Sequence, residues 1–299
     1  MALRVSSIGW RSLGALVVAT ILLPASVLAA PSGDPPEPPE GGVQRVVSLV
    51  PSVTETIFAL GAQDRLVAVS TFCDHPPEVD GKPRAGTYLL PNVEQIVAFK
   101  PDVVIGVPTP GNQAAVEQLR SLGVNVVMVG EDKLADAWQA MRDIGAWVGR
   151  KQEAEALVKR VQGEVEDVRR KASGMPRQRV LFVVGHDPLV VAGSGLFIDE
   201  LIELVGGRNV GREAQGAWPR LSLETVVASA PDVIIDGAMG TESDESLDTW
   251  WSDYRSVPAV RDGRVRSQRS DSLLRPGPRL GQAARELYEL VHAREDATP

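Results

Sequence analysis

From about Val43 onward, short apolar runs rich in β-branched residues alternate with segments whose apolar positions recur at helical spacing. The runs at 45–50 (RVVSLV), 65–70 (RLVAVS), 102–107 (DVVIGV) and 124–129 (VNVVMV) predict strands. So do 179–184 (RVLFVV), 232–236 (DVIID) and 264–267 (RVRS). Most are apolar almost throughout, as parallel strands covered on both faces are. Between them, 113–122 (QAAVEQLRSL) and 196–205 (LFIDELIELV) predict helices stopped by Gly123 and Gly206. This alternation specifies α/β layers.

The middle of the chain breaks the rhythm. Residues 134–149 and 152–172 are two consecutive helical stretches with no strand between them, and Leu157, Val158, Val161, Val165 and Val168 mark one apolar stripe. A long helix between two α/β blocks joins lobes instead of completing a sheet. The expected organisation is an N-terminal α/β lobe at 44–131, a helical bridge at 132–175 and a C-terminal α/β lobe at 176–299. An internal repeat supports it. Residues 92–107 (NVEQIVAFKPDVVIGV) and 222–237 (SLETVVASAPDVIIDG) match at a constant offset, pairing Glu94 with Glu224 and Pro101-Asp102-Val103 with Pro231-Asp232-Val233. Each copy reads as polar N-cap, short helix, proline stop and buried strand, the mark of a duplicated unit.

The first forty residues place the chain outside the cytoplasm. Arg4 and Arg11 flank an apolar start, residues 12–23 carry no charge, and Val27-Leu28-Ala29-Ala30 offers small residues to a signal peptidase. The apolar run falls short of the roughly 20 residues that span a bilayer, so cleavage near Ala29 is expected. No cysteine stands there to carry a lipid, which leaves a soluble product. Residues 30–43, rich in Pro and Gly, are expected to be a disordered tether. Loss of Arg4 and Arg11 makes the mature chain more acidic than the formal −8 of the whole. That sign argues against nucleic acid as a partner. Cys73 is the single cysteine, so the fold has no internal disulfide.

Candidate chemistry collects after the strands. Ser52-Val53-Thr54-Glu55 has capping-box spacing and opens a helix directly after the first strand. In α/β sheets ligands bind beyond the strands' carboxyl ends, so this helix start, with its free amides, suits an anionic or carbonyl-bearing ligand group. Cys73 and His75 follow the second strand, but two such residues fall short of a closed metal site and packing is the expected role of Cys73. Phe72, Tyr88 and Trp218 fall in loops, where flat rings can stack on a planar ligand or simply pack. Trp250 and Trp251 are expected in the core. Glu94 and Glu224 occupy first helical turns, which suit carboxylates, and their matched placement also fits two docking points for a basic partner. Arg275, stiffened by Pro276, suits an anionic ligand group, and a salt bridge to Asp271 is the competing reading. No GxSxG elbow, Gly-rich phosphate loop or HExxH motif is present, so catalysis is not expected.

Several stretches resemble the vitamin B12 periplasmic binding proteins: RVVSLVPSVTE at 45–55, CDHPPEV at 73–79, PNVEQIVAFKPDVV at 91–104, AWPRLSLETVVASAPDVI at 217–234, PAVRDGRV at 258–265, and Asp271 followed by Arg275-Pro-Gly-Pro-Arg279. These proteins belong to the helical-backbone class of substrate-binding proteins, which also includes siderophore, haem and metal-ion receptors. The resemblance spans about 44–293. It implies two α/β lobes bridged by one long helix, little lobe closure, and delivery of cobalamin or a related corrinoid to an ABC permease with its ATPase. The corrinoid is transported ligand; no cofactor is implied, and a monomer is expected. Carried over residue by residue, the resemblance puts Phe72, Tyr88, Trp218, Asp271 and Arg275 at the ligand and Glu94 and Glu224 at the permease. The chain departs from the pattern at Val107 and Val184, where aromatics are expected, and His186 is an added candidate contact. A haem or ferric-siderophore receptor, an exported sensor and an exported α/β enzyme are the other readings.

Overall fold

In the computed structural model, which describes residues 37–238, 249–268 and 270–293, the expected strands assemble into two separate sheets. The first holds β1 (Val46–Ser48), β2 (Leu66–Val69), β3 (Val103–Gly106) and β4 (Val126–Met128), all parallel in the order β2-β1-β3-β4. The second is built on β5 (Gln178–His186). One edge of β5 takes parallel β8 (Val233–Asp236), which in turn pairs with β9 (Val265–Ser267). The other edge takes parallel β7 (Gly207–Asn209) along its first half and antiparallel β6 (Leu189–Val191) along its second. The expected leader and the start of the tether lie outside the described residues. The tether reading is corrected at its end: Gly42 N donates to Pro39 O and Val43 N to Trp147 O, so 39–43 are held against the body.

The helices are α1 (Pro51–Ala59), α2 (Val93–Ala98), α3 (Gln113–Ser121), α4 (Leu134–Trp147), α5 (Lys151–Ala172), α6 (Phe197–Leu204) and α7 (Leu223–Ser229). A short helix at Pro258–Arg261 and a C-terminal helix at Leu280–His292 complete the set described. α5, 22 residues long, buries the predicted stripe of Leu157, Val158, Val161, Val165 and Val168. It packs on α4 along one side and on the C-terminal helix along another. The bridge is thus one long helix clamped by two others.

Strand periodicity decides which core each residue joins. Val46, Val103 and Ile105 face α1, α4 and α5, while Val47 and Val104 face α2 and α3. In the second sheet Val180, Phe182, Val233 and Ile235 face inward to α5, α6 and the C-terminal helix, and Leu181, Val183 and Ile234 face outward toward Trp251 and Val226. The inward faces of both sheets share one continuous core through α5.

The repeat is real in three dimensions. Asn92 and Ser222 cap α2 and α7, accepting from Gln95 N and Thr225 N. Lys100 (φ 47°) and Ala230 (φ 44°) both turn left-handed before the proline. Asp102 accepts from Arg45 N and Asp232 from Arg179 N, each tying its strand to the neighbour.

Two glycines test the bridge. A Cβ on Gly145 of α4 would fall 2.3 Å from the Ala154 Cβ of α5, whereas one on Gly163, exposed on α5, meets nothing within 4 Å. Gly145→Ala is expected to cost about 1–3 kcal/mol in urea unfolding through overpacking. Gly163→Ala should stabilise by roughly 0.5–1 kcal/mol. Equal effects of the two would contradict the α4–α5 contact.

Candidate ligand-binding site

Most segments of the site leave carboxyl ends of strands. Ser52 follows β1, Phe72 to Tyr88 follow β2, Glu131 follows β4, and Asp271 to Arg279 follow β9. They converge where the two lobes touch.

The capping-box reading of Ser52 and Glu55 is corrected. Extended Val50 is the N-cap of α1, Pro51 opens the helix, and no side chain caps it. Ser52, already inside the first turn and buried, donates from Oγ to Glu131 Oε1. Glu55 is buried as well and turns away from its own helix start. Arg279 grips it bidentately, Nε to Oε2 at 2.8 Å and Nη2 to Oε1 at 2.6 Å. A buried carboxylate needs cationic donors, and that demand overrides the local cap.

Arg275 is likewise not a free cation. Its Nη1 lies 2.6 Å from Asp271 Oδ2, 2.5 Å from Asp74 Oδ1 and 3.3 Å from Glu55 Oε1, and its Nη2 donates to Asp74 Oδ2 and Phe72 O. Arg279 Nη1 meets Asp271 Oδ1 at 2.8 Å. The salt-bridge reading of Asp271 and Arg275 therefore holds, enlarged into a node that joins the lobes. Burial opposes the charge on both arginines, yet the hydrogen bonds that Arg275 donates to Asp74 and Arg279 donates to Glu55 hold their pKa values above the ordinary one. The Arg275 hydrogen bond conversely holds the Asp74 carboxyl below its usual range. The Pro276-Gly277-Pro278 segment rests on the start of α1, where a Cβ on Gly277 would stand 3.5 Å from Ser52 O.

Phe72 is exposed and meets Tyr88 edge-on at 5.4 Å between ring centroids. Tyr88, half-buried, is positioned by Asn112, whose buried Nδ2 donates to Tyr88 O and Val107 O. Leu89 and Leu90, next along the chain from Tyr88, and Leu274, next to Arg275, are exposed. Trp218, also exposed, stands on a stretch bound to β6 through Gly193 N→Ala217 O and Val191 N→Pro219 O. His186 ends β5 and is already partnered: Nε2 lies 2.7 Å from Asp236 Oδ2 and its ring stacks on Trp250 at 4.2 Å. Buried Asp236 also accepts from Trp251 Nε1, which puts Trp251 in the core as expected. The structure thus brings Ser52, Phe72, Tyr88, Asp271 and Arg275 into one neighbourhood, holds His186 at the end of β5 and sets Trp218 in the irregular stretch beside β6. Cys73 is buried against Thr54 and Ser70, the packing role expected, and burial pushes its thiol pKa up. Glu94 and Glu224 are exposed at the same position of α2 and α7.

Sequence reasoning missed Asp74, Asn112 and Glu131. Their signal was positional: each follows a parallel strand's carboxyl end. Burial, with Asp132 and Glu55 nearby, pushes the Glu131 carboxyl up to about 8.

Among the described residues the site is assembled from segments of both lobes, the arrangement of a ligand receptor. A family profile described as periplasmic binding protein matches residues 46–271. The chain belongs to that family. A vitamin B12-binding protein from Salmonella typhi is 30% identical over 93% of this chain and 95% of its own length. Among solved structures, a periplasmic heme-binding protein RhuT from Roseiflexus sp. RS-1 in apo form superposes with a TM-score of 0.75 at 31% identity, over 84% of this chain and 98% of that one. The periplasmic vitamin B12 binding protein BtuF of Vibrio cholerae gives 0.75 at 23% identity, over 85% and 98%. The two-lobed α/β fold with its helical bridge is that of these neighbours, and the chain is a solute-binding protein and not an enzyme. Among the described residues no helix is long and apolar enough to cross a membrane.

Glu131 makes stability depend on pH. The folded state holds its proton to about pH 8, while the unfolded carboxyl releases it near 4.5. Between those values the folded state binds more protons, so this group's contribution to stability falls as pH rises, by at most about 1.4 kcal/mol per pH unit. Glu131→Gln should flatten the fall in urea midpoint between pH 5 and 8 and be the more stable form at pH 8.5. Parallel curves for the two proteins would mean the carboxyl is not raised.

Proposed function

We propose that the protein binds cobalamin or a related corrinoid between its two lobes and delivers it to an ABC permease with its ATPase. Phe72, Tyr88, Trp218, Asp271 and Arg275 form the ligand contacts in this reading, with Ser52 and His186 beside them. The observation that carries it is the apolar, aromatic seam whose two arginines are already paired, together with the vitamin B12-binding relatives that match over nearly their whole length. A corrinoid presents a large apolar macrocycle edged by neutral amides, which such a seam suits. The chain is exported with its leader cleaved near Ala29, acts as a monomer and carries no cofactor of its own. The purified mature chain should bind cyanocobalamin in calorimetry, and Trp218→Ala should weaken that binding at least tenfold.

The 31% identity to a heme-binding protein favours haem as the second reading. Titration with haemin in parallel separates the two. Tight haemin binding with no cyanocobalamin binding would replace the corrinoid assignment.

Glu94 and Glu224 are the proposed docking points on the permease. Their exposure at equivalent first-turn positions of duplicated helices supports this role, and a hydrogen bond from Ser222 keeps Glu224 readily ionised. Glu94→Ala with Glu224→Ala should abolish stimulation of the importer's ATPase while leaving cyanocobalamin affinity within a factor of two. An equal fall in affinity would remove the docking role.

A further inference from the structure

The node between the lobes holds more acid than base. Glu55 and Asp74 come from the N-terminal lobe and Asp271, Arg275 and Arg279 from the C-terminal one, three carboxylates against two guanidiniums. Exposure within the node falls on two of the acids. The side chains of Arg275 and Arg279 are 14% and 15% exposed and Glu55 only 1%, whereas Asp271 is 38% and Asp74 63% exposed. The two guanidiniums are shared among Glu55 and both oxygens of Asp74 and of Asp271, so the node keeps one negative charge in excess. What the node turns toward solvent is carboxylate.

We infer that this acidic outer face, with Asp74 as its most exposed member and Asp271 as its second, selects ligands by the charge of their periphery. Resting on the reading of the seam as a corrinoid site, it favours a macrocycle edged with primary amides and disfavours the same macrocycle bearing ionised carboxylates. An amide N–H makes a charge-assisted hydrogen bond to an aspartate oxygen. A carboxylate at that place meets like charge across a partly desolvated gap, where attraction and repulsion are stronger than in water. Rejection by repulsion adds to whatever attraction selects the right ligand.

The test compares cyanocobalamin with its monocarboxylic acid derivatives, in which one peripheral amide is hydrolysed, by calorimetry on the purified mature chain at pH 7. At least one isomer is expected to bind tenfold or more weakly than the parent, and that ratio should shrink as salt is raised from 20 to 500 mM, since screening weakens exposed charges. Asp74→Asn should bring the ratio below threefold, with Asp271→Asn acting in the same direction. Asp64→Asn, an equal change of charge at the opposite end of β2, should leave it unaltered. Equal affinities for all isomers, a ratio insensitive to salt, or an unchanged ratio in Asp74→Asn would overturn the inference while leaving cobalamin binding intact. If cyanocobalamin does not bind, the corrinoid reading fails, and haemin against its dimethyl ester then decides the charge rule. The ester bound more tightly sustains that rule, while haemin bound equally or better, or neither bound, overturns it.

Discussion

A buried carboxylate on one lobe that is neutralised only by arginines from the other constrains the whole molecule. Glu55 lies on the first helix and its partners Arg275 and Arg279 lie more than two hundred residues later. Leaving such a charge unpaired costs about 3–5 kcal/mol, so the N-terminal lobe has its full stability only when the C-terminal segment is in place. The continuous core through α5 acts in the same direction. Val161 and Val165 pack in a cluster that includes Ile57 on one side and Phe182 and Leu287 on the other. The lobes are separate as sheets and joined as a folding unit.

Duplication explains why the two lobes offer matched surfaces. The same sequence of N-cap, short helix, left-handed residue and proline precedes β3 and β8, and in both copies the aspartate after the proline anchors the neighbouring strand. Once a backbone unit is repeated, whatever projects from its exposed face is repeated with it. Glu94 and Glu224 are such a pair. The buried faces have diverged, with Gly106 at the end of β3 where Asp236 ends β8 to hold His186 and Trp251. Likeness is kept on the exposed helix starts and relaxed where each lobe packs its own core.

The strands were legible because two-sided burial writes an apolar run, and α5 because its stripe has helical period. β6 and β7, three residues each, were not. Leu189–Val191 and Gly207–Asn209 become strands by pairing with β5, which no local pattern encodes. The C-terminal helix went unassigned although Leu280, Ala283, Ala284, Leu287 and Val291 all face inward, since alanines weaken the apolar signal of a stripe. At the site, residue types near strand ends were readable and their partners were not. Ser52 and Glu55 have capping-box spacing, and only the fold reveals that Glu131 and Arg279 outbid the helix's own amides. Such pairings carry no sequence periodicity. Family resemblance supplied the position of Arg275 but not its saturation by carboxylates.

That saturation matters because the scaffold leaves few other means of choosing a ligand. A hinged receptor discriminates partly by whether closure succeeds. Here a wide opening would break the Glu55–Arg279 pair and pull α5 from its shared core, which together oppose lobe motion. A preformed groove loses little entropy on binding, which favours affinity, but it must reject wrong ligands with side chains already in place. On the proposed reading, exposed rings and leucines discriminate little among large flat apolar faces. On that reading of the seam, selectivity then falls to its charged groups, of which Asp74 and Asp271 are the exposed ones.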